Sequence, residues 1–252
     1  MHFTNFYNAD LKNALDENFT NIVTENVGPF IYSTIKTIRP KKILEVGAGY
    51  TSIFFAQALK EIEEENNFDA KLINEQKIDP DWERRHRLLN KDYQFSADSK
   101  LIIVDNFSKE KHDTARPVDN AINKLNLNKY IDFVEADGMD LQKINELISK
   151  SLPLDFVFLD FGAGAALPIL FKFYFERINS QGGYIMVHST LTNAMHRLWL
   201  AELKLKYNND SSVEIMSFLE PNKIMQNSFA LIKKNKETET GQFNPPIYTA
   251  QP

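Results

Sequence analysis

One stretch constrains this chain more than any other: residues 43–52 read Ile-Leu-Glu-Val-Gly-Ala-Gly-Tyr-Thr-Ser. Ile43, Leu44 and Val46 suit a parallel strand buried on both faces. Gly47 and Gly49 then strip away side chains where the backbone must turn sharply and approach a ligand. Phe54, Phe55, Ala58 and Leu59 recur with helical spacing, so the turn delivers unpaired backbone N–H groups at a helix start. Doubly wound α/β proteins hold nucleotide-like ligands at such a strand, glycine turn and helix.

The residues around the glycines discriminate between cofactors. A dinucleotide site favours a third glycine where this chain has Ser52. Glu45 would repel a pyrophosphate from the rim of the turn, yet could pair with a cationic aminoacyl group. Glu45-x-Gly47-x-Gly49 therefore favours S-adenosylmethionine over NAD.

The rest of the chain supplies the alternation that a parallel sheet requires. Apolar residues at 10–38 suggest two helices ahead of the first strand. Strands are expected at Lys100–Asp105, Tyr130–Asp137, Leu154–Asp160 and Gly182–His188, with helices over 117–127 and near 164–178. Val213–Leu219 and Ser228–Lys233, split by Glu220-Pro221-Asn222, read as an antiparallel hairpin. Residues 61–99 are polar and read as an irregular insertion. Residues 1–235 form one domain in this reading, and 236–252, with Pro245, Pro246 and Pro252, a tail.

Parallel sheets bind ligands beyond the carboxyl ends of their strands, and Asp105, Asp137 and Asp160 all fall there. A net charge of −5 lacks the basic surface of a protein that tracks phosphates, so nucleic acid is not an expected partner. No apolar run reaches the ~20 residues of a membrane span, and a cytoplasmic location fits the absence of a basic, apolar leader. The chain has no cysteine, which removes thiolate chemistry.

This constellation resembles the class I S-adenosylmethionine-dependent methyltransferases. Leu44-Glu45-Val46-Gly47-Ala48-Gly49 is similar to their first motif. Ile103-Val104-Asp105, Glu135-Ala136-Asp137-Gly138 and Phe156-Val157-Phe158-Leu159-Asp160 are similar to the strand ends that follow. Glu25-Asn26-Val27-Gly28-Pro29-Phe30 and Ile38-Arg39-Pro40-Lys41-Lys42 resemble the lead-in of the catechol O-methyltransferase-like branch. The likeness spans roughly residues 20–235. It implies a doubly wound, Rossmann-like sheet of seven strands, mostly parallel, in the order 3-2-1-4-5-7-6.

The resemblance also implies residue roles. Gly47, Ala48, Gly49 and Thr51 would lie against the methionine part of the cofactor, with Glu45 near its amino group. Asp105, with Asn106 beside it, would take the ribose hydroxyls, Glu75 being the rival at dinucleotide spacing. Asp137, Gly138 and Met139 would border the adenine, and Asp160 the sulfonium. Metal-dependent members of the branch carry Asp-Asn after the fifth strand, where this chain has His188-Ser189. No magnesium site is therefore expected; a softer metal at Asp160 and His188 is the remaining metal reading.

Methyl transfer needs alignment and, for an alcohol or ammonium, a base. His188 is the first candidate and His112 the second, with a structural histidine as the alternative for either. Arg116, Tyr50, Phe161 and His196 are candidates for acceptor contacts, and Arg197 lies in the same loop region. The insertion carries Asp81-Trp82-Glu83-Arg84-Arg85-His86-Arg87, which reads as a dimer contact, a cover over a neighbouring subunit's site, or a solvated charged segment. A homodimer through this segment or the N-terminal helices is the partner expectation. The leading function is methyl transfer to oxygen or nitrogen of a small molecule. The alternatives are an NAD(P)-linked oxidoreductase and a catalytically degenerate cofactor-binding or assembly subunit.

Overall fold

A computed structural model describes residues 8–19, 25–75, 98–107 and 114–235. The order of elements is α1 (Ala9–Asn18), α2 (Val27–Ile38), β1 (Lys42–Val46), α3 (Tyr50–Asn74), β2 (Lys100–Asp105), α4 (Ala115–Leu125), β3 (Ile131–Glu135), α5 (Leu141–Ile148), β4 (Phe156–Leu159), α6 (Leu167–Phe175), β5 (Tyr184–His188), α7 (Ala194–Lys206), β6 (Val213–Leu219) and β7 (Ser228–Lys234). The strands form one seven-stranded sheet, ordered β3-β2-β1-β4-β5-β7-β6. The first five run parallel, while β7 lies antiparallel to both β5 and β6. This is the order and the hairpin that the family resemblance implied.

Strand alternation divides the core in two. Ile43, Leu101, Ile103, Phe156 and Phe158 face α1 to α4, whereas Leu44, Val46, Ile102, Val104, Val157 and Leu159 face α5 to α7. Successive side chains of a strand point to opposite faces, so a sheet covered on both sides needs the unbroken apolar runs that the sequence shows. With the sheet order fixed, the carboxyl ends of β1 to β5 make one edge. Because β7 is antiparallel to β5, the turn between β6 and β7 joins that same edge, with His188 opposite Phe229.

The region after residue 60 corrects the expectation of an irregular insertion. Helix α3 runs on to Asn74, and its acidic run faces α2. Glu61 accepts from Lys36 at 3.2 Å and from the Tyr32 hydroxyl; Glu65 accepts from Lys36 at 2.5 Å and from Arg39 at 2.6 Å. Asn66 accepts from Arg39 at 2.6 Å, and Glu63 from Tyr130 at 2.6 Å. A charged stretch that resembles a helix exit is here the polar contact face of a long helix, since cations 25–66 residues away supply the opposite charges. The aromatic and basic cluster of residues 81–87 lies outside the described residues.

Candidate functional site

Gly47 adopts φ +97°, and a Cβ there would sit 2.2 Å from the Asp160 carbonyl oxygen. Only glycine fits, because the backbone is left-handed and the space belongs to another strand's end. The Gly47 amide donates to Val104 at 2.9 Å, while the Ala48 amide donates to Oδ2 of Asp105, also at 2.9 Å. Ser52 acts locally, its hydroxyl accepting from the Gly49 amide at 3.2 Å and so holding the first turn of α3.

Glu45 lies beneath the turn and not at its rim. It is fully buried, with Oε1 accepting from the Thr51 hydroxyl at 2.6 Å and Oε2 without a partner. Burial raises its pKa to about 8, only partly countered by the Ser52 and Thr51 hydroxyls. Thr51 is itself buried and directed to Glu45. The two residues therefore form a polar floor under the glycine turn.

Asp105 ends β2, and its carboxylate ties two loops together. Oδ2 receives the Ala48 amide, and Oδ1 the Phe107 amide at 2.7 Å. Each carboxylate oxygen keeps a second lone pair, so Asp105 retains capacity for hydroxyl donors. Glu75 caps the far end of α3, away from the carboxyl edge, which removes it as a ribose ligand. Strand β3 stops at Glu135, and Asp137 belongs to the following loop, where it accepts from the Met139 amide at 2.9 Å. A Cβ on Gly138 would lie 2.5 Å from Val46 and 3.5 Å from the Phe161 ring, so this loop folds over the tip of β1. Asn106 and Met139 are exposed along the same edge.

Asp160 and His188 meet across the ends of β4 and β5. Oδ1 of Asp160 is 2.7 Å from Nδ1 of His188, whose Nε2 is buried and has no partner. Burial disfavours the imidazolium, but Asp160 and, behind it, Glu25 outweigh burial and raise the His188 pKa. This pairing fixes the tautomer: Nδ1–H to the carboxylate leaves Nε2 as the basic atom.

The remaining candidates divide into near and far. Tyr50 donates its hydroxyl to Oε2 of Glu25 at 2.8 Å, and burial, then Glu25, raise its pKa far above the usual value. Phe161 lies against both Gly47 and Gly138. His196 is buried in α7 beside the backbone of Ser189 and His188, where burial lowers its pKa, so its ring serves the packing behind β5. Arg116 is exposed in the first turn of α4. His112 lies outside the described residues.

The fold adds residues that no motif indicated. Lys223, in the turn between β6 and β7, lies 2.9 Å from Glu25 and 2.6 Å from Glu220. Burial would release its proton, but these two carboxylates outweigh it and raise its pKa. Glu25 stands out in sequence only as part of the lead-in to α2, and Lys223 gives no local signal.

The donor set does not fit magnesium. Asp160 and His188 offer one carboxylate and one imidazole already joined to each other, whereas Mg²⁺ takes an octahedron of oxygens. Among the described residues no group of three or more His, Asp or Glu side chains is placed to hold a metal.

No protein-family model matches the sequence, and no curated protein matches it either. Solved structures do. The O-methyltransferase from Bacillus cereus, in complex with S-adenosylhomocysteine (SAH), superposes with TM-score 0.60 at 16% identity, covering 91% of this chain and 92% of that one. TomG from Streptomyces achromogenes, an O-methyltransferase of tomaymycin synthesis in complex with S-adenosylmethionine (SAM), gives TM-score 0.60 at 14% identity with 91% of each chain covered. The chain has the O-methyltransferase fold. The SAH-bound methyltransferase PaMTH1 of Podospora anserina shares it at TM-score 0.54 and 12% identity, covering 91% of this chain and 89% of that one. At these identities the likeness is one of architecture, and the side chains carry the rest.

Proposed function

We infer that this protein is a SAM-dependent methyltransferase acting on an oxygen or nitrogen of a small molecule, with no obligatory metal. The observation that carries the reading is the Asp160–His188 pair, set beside the Gly47 turn and Asp105 at one sheet edge of an O-methyltransferase fold. The cofactors named in the neighbouring structures support it. When bound, SAM supplies a methyl group on a positively charged sulfur.

This chain's residues would divide the remaining work. Ala48 and Gly49, held over the Glu45–Thr51 floor, receive the amino-acid arm, Asp105 and Asn106 the ribose, and the loop of Asp137, Gly138 and Met139 the adenine. His188 Nε2 takes the proton of the attacking hydroxyl, or that of an ammonium before the freed amine attacks, and Asp160 stabilises the resulting imidazolium. Tyr50 and Phe161 border the acceptor, and Arg116 is the candidate for an anionic substituent. A cytoplasmic homodimer without nucleic-acid partners completes the proposal. No helix among the described residues is long and apolar enough to cross a membrane.

Calorimetry with SAH tests the cofactor, and transfer of labelled methyl to a panel of small hydroxyl and amine compounds in the presence of a chelator tests the chemistry. Absence of SAH binding by the folded protein would remove the assignment. Transfer that the chelator abolishes would remove its metal-independent form. Light scattering reads the oligomeric state.

A further inference from the structure

We propose that Lys223 is a positioning residue: it latches the turn between β6 and β7 onto the segment before α2 and thereby closes the acceptor side of the site over His188. The inference rests on the methyltransferase reading for its purpose, but its geometry is independent of any ligand.

Three observations converge. His188 is only 9% exposed and its Nε2 has neither solvent contact nor partner, so the atom that must meet an acceptor is covered. The side chain of Lys223 is 6% exposed and lies between Oε2 of Glu25 and Oε2 of Glu220, carboxylates from opposite sides of the seam. Tyr50 and Asn26 extend the seam, through Glu25 at 2.8 Å and Glu220 at 3.5 Å. The tip of the turn, by contrast, is outside: Ile224 is 91% and Met225 74% exposed. A segment with an exposed tip and one buried ionic anchor is suited to release and return. The fixed neighbours of His188, namely Asp160, the Phe158 ring and the β7 strand, are parts of the sheet.

The charged groups facing His188 come from separate elements. Asp160 follows β4, Glu25 precedes α2, Lys223 with Glu220 occupies the turn, and His196 lies behind in α7. Glu25 favours the imidazolium and Lys223 opposes it. Within the seam the lysine therefore offsets part of the pull that Glu25 exerts on the His188 proton.

The test uses the full chain and two readouts that need no acceptor. Diethyl pyrocarbonate acylation of His188, followed by peptide mass spectrometry, reads its accessibility. The prediction is several-fold faster modification in Lys223→Met than in wild type, with Lys223→Arg restored to the wild-type rate. The imidazole titration of His188 by NMR reads the charge. It should move up in Lys223→Met, where a nearby cation is lost and the ring meets water, and stay in place in Lys223→Arg. Acylation of Lys223→Met at the wild-type rate, or an imidazole titration left where it stands in wild type, would overturn the latch. Should Lys223→Met fail to fold, Glu220→Gln carries the same accessibility comparison. SAH binding to wild type is scored separately: its failure would overturn the functional reading and leave the latch standing.

Discussion

The two halves of the carboxyl edge are built in different ways. On the side of β1, β2 and β3, backbone amides and strand-end carboxylates do most of the work: Gly47 turns, Ala48 donates to Asp105, and Asp137 steadies its own loop. On the side of β4, β5 and the β6–β7 turn, the work falls to side chains gathered from across the chain, with Glu25, Tyr50, Asp160, His188, Glu220 and Lys223 converging in space. The first half suits a ligand of constant shape. The second can change by single substitutions without disturbing the sheet, which is where an enzyme distinguishes acceptors.

The contrast can be broken most forcefully at Gly47. A Gly47→Ala variant would drive its Cβ into the Asp160 carbonyl at 2.2 Å and disturb both halves at once. The expected loss is at least about 3 kcal/mol of stability together with SAH binding, read by urea unfolding and calorimetry. Wild-type stability would mean that the turn is not packed as described.

His188→Gln should separate the halves. Methyl transfer is expected to fall roughly 10²–10⁴-fold while SAH affinity stays near wild type. The pH dependence has a defined sign. Because Asp160 raises the His188 pKa, the free base grows as pH rises, so the rate should climb and level off above that raised value. Asp160→Asn should move the rising limb to lower pH, and a limb unmoved by this change would exclude His188 as the base.

Asp105→Ala should act on the cofactor half alone. It strips a partner from the Ala48 and Phe107 amides, each worth about 1–3 kcal/mol when left unsatisfied, and SAH affinity should fall accordingly. Equal SAH affinity in the variant and wild type would take Asp105 out of the cofactor site.

Glu45 gives a gradual effect with a clear pH window. Its pKa moves from 4.5 to about 8 on folding, so the folded protein keeps a proton that the unfolded chain releases across that interval. Stability should therefore be greatest below the interval and decline as pH rises through it, by an amount whose ceiling is about 5 kcal/mol. Glu45→Gln should flatten the decline in urea titrations at successive pH values; an equally sloping variant would refute a buried neutral carboxyl. Asp137→Ala is the mildest change. Its side chain is exposed and accepts from the Met139 amide, so its loss should alter stability by less than about 1 kcal/mol and SAH affinity a few-fold.

Legibility followed the same division. Glu45, Gly47, Asp105 and Asp160 stand in short motifs at strand ends, and the last three lie at the carboxyl edge of the sheet. The depth of Glu45 was not visible, because its burial depends on Thr51 and the following helix closing over it. Nor did the acidic run after residue 60 disclose that it continues α3, since its partners Lys36, Arg39 and Tyr130 lie on other elements.

The amino-acid order by itself determined the alternation of strands and helices, the glycine turn and the row of acids, because each is governed by neighbours a few residues away. Only the tertiary structure decided that Asp160 grips His188 and that Lys223 bridges Glu25 and Glu220. The Asp160–His188 and Glu25–Lys223 contacts join residues 28 and 198 positions apart, and chain packing, with no local rule to announce it, is what brings such charges within reach.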